Sequence, residues 1–179
     1  MLTQLRRAAP RLVVGVAAGK LGARVFLSTF EKQLDSKRRI VVPQEFRALA
    51  SGSFDGVFCL PSIEADCIEG GAQALFDRYQ ALIDELPFGD PLRSQLETSI
   101  LGGVHKLSFD TAGRITLPEA LCEEFGLTDW VAVVGMGDRF QIWSLEAFRA
   151  HRATQRLSAR EGLATLRNQQ RLAKVGGAA

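Results

Sequence analysis

The chain is poor in the residues from which catalytic and metal centres are usually built. It has two histidines, His105 and His151, and three cysteines, Cys59, Cys67 and Cys122, in 179 residues. An odd cysteine count without C-x-x-C spacing excludes a disulfide framework and reads as reduced, mostly buried thiols of a cytoplasmic protein. Two isolated histidines without a cysteine partner argue against a metal site, and no cofactor is expected. There is no G-x-S-x-G and no nucleotide-binding glycine loop. Gly135-Met136-Gly137 falls between two strand-like stretches rather than ahead of a helix. No catalytic residue and no small-molecule substrate are therefore assigned. Cys59 or Cys67 with His105 is the one conceivable nucleophile pair, weighed against the commonness of core cysteines.

Long apolar runs are also missing, so no membrane span is expected. The short apolar stretch 12–19 follows a basic start, is broken by glycine and is interrupted by Lys20. Residues 1–24 read as a flexible basic extension, or as the product of a start codon placed too far upstream, in preference to a signal peptide.

Acidic residues are absent from the start and nearly absent from the end. Residues 1–24 carry +5 and residues 149–179 carry +6, while the whole chain is only +2, which leaves −9 on residues 25–148. An acidic body with basic ends is not a uniformly basic nucleic-acid binder. Any DNA contact must be local, with the acidic remainder turned away.

What the chain does have is a repeat. Asp35-Ser36-Lys37-Arg38-Arg39-Ile40-Val41-Val42-Pro43 returns 75 residues later as Asp110-Thr111-Ala112-Gly113-Arg114-Ile115-Thr116-Leu117-Pro118. In each copy a charged turn lies between β-prone stretches, and a proline opens a short helical segment (44–49 and 119–125). Acids in the first turn of the second helix suit its dipole, and Gly126 closes it. Val57-Phe58-Cys59-Leu60 matches Ala132-Val133-Val134-Gly135, and a further short strand follows in each half, with 136–139 as a hairpin turn in the second. Each half is ββαββ in outline, an α+β protein built from a duplicated unit. Strands this short cannot bury their faces alone, so the halves are expected to share one barrel or sandwich core about a pseudo-twofold axis. Leu75, Phe76, Tyr79, Leu82, Ile83 and Leu86 recur at helical spacing between the halves, Pro87 to Pro91 breaks that helix, and a second runs from about Leu92 to Leu101. The tail from Leu145 to Lys174 is helix-prone and Arg-rich. The divisions are thus 1–24, 25–71, 72–101, 102–147 and 148–179.

The turn Lys37-Arg38-Arg39 packs three cations into three residues, at least two of which should project into solvent. Guanidinium groups there suit phosphate clamping or guanine reading in the major groove. Asp35 stands four residues before Arg39, where it can close the turn through backbone N–H groups and hold the arginine. The second copy keeps Asp110 and Arg114 but replaces the central cations with Ala112 and Gly113, the glycine supplying the positive φ that such turns use. Read from chemistry alone, two solvated turns stapled by Asp–Arg pairs are a somewhat better account than two binding elements.

The blocks from Val25 to Arg47, from Phe109 to Pro118 and from Val134 to Ser144 resemble the MraZ family of bacterial transcriptional regulators. The similarity covers about Val25 to Phe148 and includes both D-x-x-x-R motifs. The resemblance implies two SpoVT/AbrB-like swapped-hairpin units forming a β-barrel, a ring-shaped homo-oligomer, and double-stranded DNA as partner in the cytoplasm and nucleoid. It further implies control, as a repressor, of the chain's own cell-division and cell-wall operon through short G-rich direct repeats. By position, the family's motif residues fall on Asp35 and Arg39 and on Asp110 and Arg114, and Lys37 matches the family's turn lysine. DNA contact is assigned to Lys37, Arg38, Arg39 and Arg114, and turn structure to Asp35, Asp110 and Gly113, with the first turn expected to dominate. The alternative is an AbrB-like antitoxin or protein-binding scaffold that uses the tail. Trp130, Trp143 and His105 are read as structural.

Overall fold

The computed structural model describes residues 25–176 apart from Ser51 and Ser53; the basic extension 1–24 lies outside the described residues. The first half contains β1 (Thr29–Gln33), β2 (Arg39–Val41), α1 (Gln44–Ala50), β3 (Gly56–Pro61) and β4 (Ile68–Gly71). Two linker helices follow, α2 (Gln73–Asp84) and α3 (Pro91–Ser99). The second half contains β5 (His105–Ser108), β6 (Arg114–Thr116), α4 (Glu119–Glu124), β7 (Trp130–Gly135) and β8 (Phe140–Ser144), and runs directly into α5 (Leu145–Gly176). Both halves have the ββαββ order. Local chemistry explains the helix boundaries: the Asp90 carboxylate accepts the Leu92 N–H at 2.8 Å ahead of Pro91, which opens α3, and Gly126, at φ +57°, turns the chain out of α4.

The strands form an antiparallel six-stranded sheet in the order β1-β7-β8-β4-β3-β5 and a separate ribbon of β2 with β6. The outer strand of each half belongs to the other half's hairpin. β1 pairs with β7, Thr29 opposite Val134 and Gln33 opposite Trp130, and β5 pairs with β3, Cys59 opposite His105. Exchanging the halves reverses the strand order and leaves it unchanged, so the sheet has pseudo-twofold symmetry. The axis passes through two isoleucine pairs. Ile40 faces Ile115 in the ribbon and Ile68 faces Ile142 at the centre of the sheet. All four are buried in one hydrophobic cluster, so the ribbon is packed over the sheet's middle.

The expected barrel is not closed among the described residues. β1 and β5 remain the two edges of an open sheet, while β2 and β6, three residues each, pair only with one another. Each charged turn therefore joins two sheets and is not the tip of a hairpin whose arms pair with each other. The arms diverge because each is claimed by the other half.

The sheet is covered on both faces, which is why β3 is buried from Gly56 through Leu60 without alternation. The ribbon, α1 and α4 close one face over Phe46, Val57, Cys59, Leu121, Val133, Phe140 and Ile142. The linker helices cover part of the other face through Leu60, Leu75, Ile83 and Ile100, and the root of α5 covers the rest through Trp143 and Phe148. One charge is buried there. Glu69, fully buried, accepts hydrogen bonds from the Tyr79 hydroxyl at 2.6 Å and the Ser62 hydroxyl at 3.2 Å. Arg139 Nε lies 3.2 Å from it, at ion-pair distance but without hydrogen-bond alignment.

Candidate nucleic-acid interface

The two charged turns are built alike. In the first, Asp35 Oδ1 accepts the backbone N–H groups of Lys37 and Arg39, both at 2.9 Å, and Oδ2 accepts Arg39 Nε at 2.8 Å. In the second, Asp110 Oδ1 accepts the N–H groups of Ala112 and Arg114 at 2.9 Å, and Oδ2 accepts Arg114 Nε at 2.7 Å. One carboxylate thus closes each turn and grips the following guanidinium by its Nε side. These bonds hold Asp35 at about 2, foremost through the Arg39 side chain, and lower Asp110 too, foremost through the Arg114 backbone N–H.

The third residue after each aspartate is left-handed: Arg38 at φ 58° and Gly113 at φ +71°. Glycine adopts this at little cost, whereas an arginine pays on the order of 1 kcal/mol. The conformation is used across the axis. The Arg38 carbonyl accepts the Leu117 N–H at 2.8 Å, and the Gly113 carbonyl accepts the Val42 N–H at 3.1 Å. Each turn therefore extends the β2–β6 ladder and locks onto the other half.

That ladder decides where the arginines stand. Arg39 is opposite Thr116 and Val41 is opposite Arg114, with the Ile40–Ile115 pair between them. Opposed residues share a face and neighbours along a strand alternate. Ile40 and Ile115 are buried on the inner face, so Arg39, Val41, Arg114 and Thr116 form the outer face. Two arginines from opposite halves thus stand on one exposed surface, two residues apart along the ribbon, about 7 Å. Their side chains are 29% and 32% exposed, nearly equal.

The cations assigned from sequence are not equally free. Lys37 is exposed. Arg38, its side chain 40% exposed, leans toward α4, 3.8 Å from Glu119, and its Nε is buried with no hydrogen-bond partner among the described residues. Arg47 is the residue that sequence reasoning missed. Its Nε donates to the Val42 carbonyl at 3.2 Å, and a Cβ at Gly113 would collide with its guanidinium. The second turn, cation-poor in sequence, is supplied with a cation by the first half's helix. The repeat held a usable signal: Gly113 leaves open the space that an arginine from α1 fills, and the position equivalent to Arg47 is Cys122.

The nucleophile pair is brought together only in register. Cys59 stands opposite His105 across β3 and β5, but burial pushes the Cys59 thiol up to about 12, and the same cause raises Cys67 to about 12. Such thiols stay protonated and are poor nucleophiles near neutrality. Among the described residues no helix is long and apolar enough to cross a membrane.

The sequence profile of a family described as "MraZ protein, putative antitoxin-like" matches residues 25–97 and 100–170. A protein of Phenylobacterium zucineum named "Transcriptional regulator MraZ" is 78% identical over 151 residues, covering 84% of this chain and 94% of its own. One of the same name from Caulobacter vibrioides is 77% identical over 155 residues, covering 87% of this chain and 99% of its own. A more distant namesake from Rickettsia bellii is 36% identical over 146 residues, covering 80% and 97%.

Proposed function

The chain belongs to the MraZ family, and we propose that it is a transcriptional regulator that binds double-stranded DNA through the outer face of the β2–β6 ribbon. The observation that carries this reading is the sharing of that face by Arg39 and Arg114 above the buried Ile40–Ile115 pair. A two-stranded ribbon fits the major groove, and guanidinium donors match guanine O6 and N7. Asp35 holds Arg39 through Nε and lies 2.7 Å from its Nη2, while Asp110 holds Arg114 through Nε; the remaining guanidinium N–H groups are the donors this reading gives to a base. Lys37, Arg38 and Arg47 flank the ribbon and suit phosphates, which set position without reading sequence.

One ribbon on an acidic body binds weakly. In a ring-shaped homo-oligomer, several ribbons engage successive short G-rich direct repeats, and linkage raises their effective concentration. We assign the protein to repression of its own cell-division and cell-wall operon from such repeats, in the cytoplasm at the nucleoid. The strand exchange between β1 and β7 and between β5 and β3 supports reading residues 25–71 and 102–147 as swapped-hairpin AbrB-like units fused in one chain. A second reading, an antitoxin-like protein with a protein partner, rests on the family's description. Co-purification of a stoichiometric small protein would favour it.

The test is a DNA titration on the region upstream of the chain's own gene, with its G-rich repeats intact and scrambled. Arg39→Ala and Arg114→Ala should each cost about 1–3 kcal/mol of discrimination between the two duplexes. Undiminished discrimination in both variants would exclude the ribbon as the reading element.

A further inference from the structure

The tail helix carries a second, differently built cationic surface. From Arg152 to Arg171 every residue of α5 is exposed. Among the described residues, no ion pair or hydrogen bond engages the side chains of Arg152, Arg156, Arg160, Arg167 and Arg171, whereas Arg149 at the helix root lies 3.9 Å from Glu31. At 3.6 residues per turn these five arginines fall within an arc of about 100°, in a line about 28 Å long. The single acid of this stretch, Glu161, stands off the line's flank. Leu157, Leu163 and Leu166 are exposed but spread over about half the circumference, so the helix has neither the apolar face of a membrane-surface helix nor a heptad seam.

We infer that this arginine stripe is a second DNA-binding element, one that tracks the phosphate backbone without reading sequence. The inference rests on the proposed reading that the protein binds double-stranded DNA, not on the ribbon being the element that reads it. Three features favour a duplex as the occupant. The stripe is a little shorter than one turn of B-DNA, about 34 Å, and a linear polyanion is matched by cations in a line. Its cations are all arginine, the side chain that pairs with phosphate in bidentate fashion. Arginines four apart on one face also repel and weaken the isolated helix, a repulsion that bound phosphates remove. The acidic body of a second copy is a poorer match. Protein interfaces need a desolvated apolar centre, and many of the body's acids are already held by its own arginines, among them Asp35, Glu69, Asp84, Glu97, Asp110 and Asp138.

The experiment uses the full chain and two duplexes, the upstream region with repeats intact and the same length scrambled, titrated by fluorescence anisotropy at several salt concentrations. A variant carrying Gln at positions 152, 156, 160, 167 and 171 should lose at least tenfold in affinity for both duplexes, as a rough expectation from the lost phosphate contacts. Its log K against log salt slope should flatten by up to about 4 per chain, with the ratio between duplexes unchanged. A Lys version at the same positions should retain most of the binding, and far-UV circular dichroism checks that both keep the helix. Unchanged affinity and slope in the Gln variant would overturn the inference. So would unchanged DNA binding with a smaller assembly mass, which would give the stripe to a second copy. Arg39→Ala with Arg114→Ala separates the two proposals: if it leaves the duplex ratio intact, the ribbon reading fails, while a loss confined to the Gln variant still establishes the stripe.

Discussion

At the scale of single residues, the turns depend on two aspartates remaining ionised. Asp35 is drawn from 3.8 down to about 2, first by the Arg39 side chain and next by its backbone N–H, and Asp110 is lowered by the equivalent contacts with Arg114. A folded-state value below the unfolded one means that the stabilisation is complete above the unfolded value, near pH 4, and is lost as pH falls toward 2. Because both carboxylates are solvent-accessible, the effect is modest. Urea midpoints measured from pH 6 to 2 should fall across that window, and fall less steeply in a variant with Asp35→Asn and Asp110→Asn. An identical fall in the variant would assign the acid sensitivity to other carboxylates.

At the scale of elements, β4, the turn between β7 and β8, and α2 are tied by one buried charge. Glu69 on β4 takes the Tyr79 hydroxyl of α2 and faces Arg139 beside β8. Burial, together with the Glu69 bond, pushes the Tyr79 phenol above its ordinary value. Arg139→Ala leaves a buried carboxylate without its cation, which should cost about 3 kcal/mol in urea unfolding. Adding Glu69→Gln should restore part of that loss, and a double-mutant cycle measures the coupling. Such ties also mark where sequence reasoning ends. The ββαββ order, the helix behind Pro118 and the α2 helix with its buried Leu75 and Ile83 follow from short-range periodicity and turn chemistry, though α2 ends at Asp84, short of Leu86, and leaves Leu82 exposed; the Asp–Arg staples follow from spacing within one turn. The partners of β1 and β5 do not, because neither strand's pattern of exposed and half-buried residues names the strand it will meet a hundred residues away or fewer. Arg47 was hidden for the same reason: it reaches Gly113 only after the halves have interlocked.

At the scale of the whole molecule, the exchange of β1 and β5 makes the halves interdependent. Residues 25–101 alone would keep β3 and β4 but lack β7 as the partner of β1, β5 as the partner of β3, and β6 as the partner of β2. That half, expressed by itself, should not persist as a folded monomer. It should pair with a second copy or aggregate, which light scattering would report as a mass of at least two units. A cooperative, monomeric unfolding transition would contradict the interdependence.

The pseudo-twofold ribbon has one more consequence. Turned half a revolution about the axis through Ile40 and Ile115, its backbone returns to itself but its ends do not: one brings Lys37 and Arg38, the other Ala112, Gly113 and the borrowed Arg47. A true dimer of identical halves would be bound to keep both ends the same. Fusion in one chain lets them drift apart, and on the proposed DNA-binding reading this gives the protein a head and a tail on the duplex. A palindrome has no use for such a distinction. A site with a direction does.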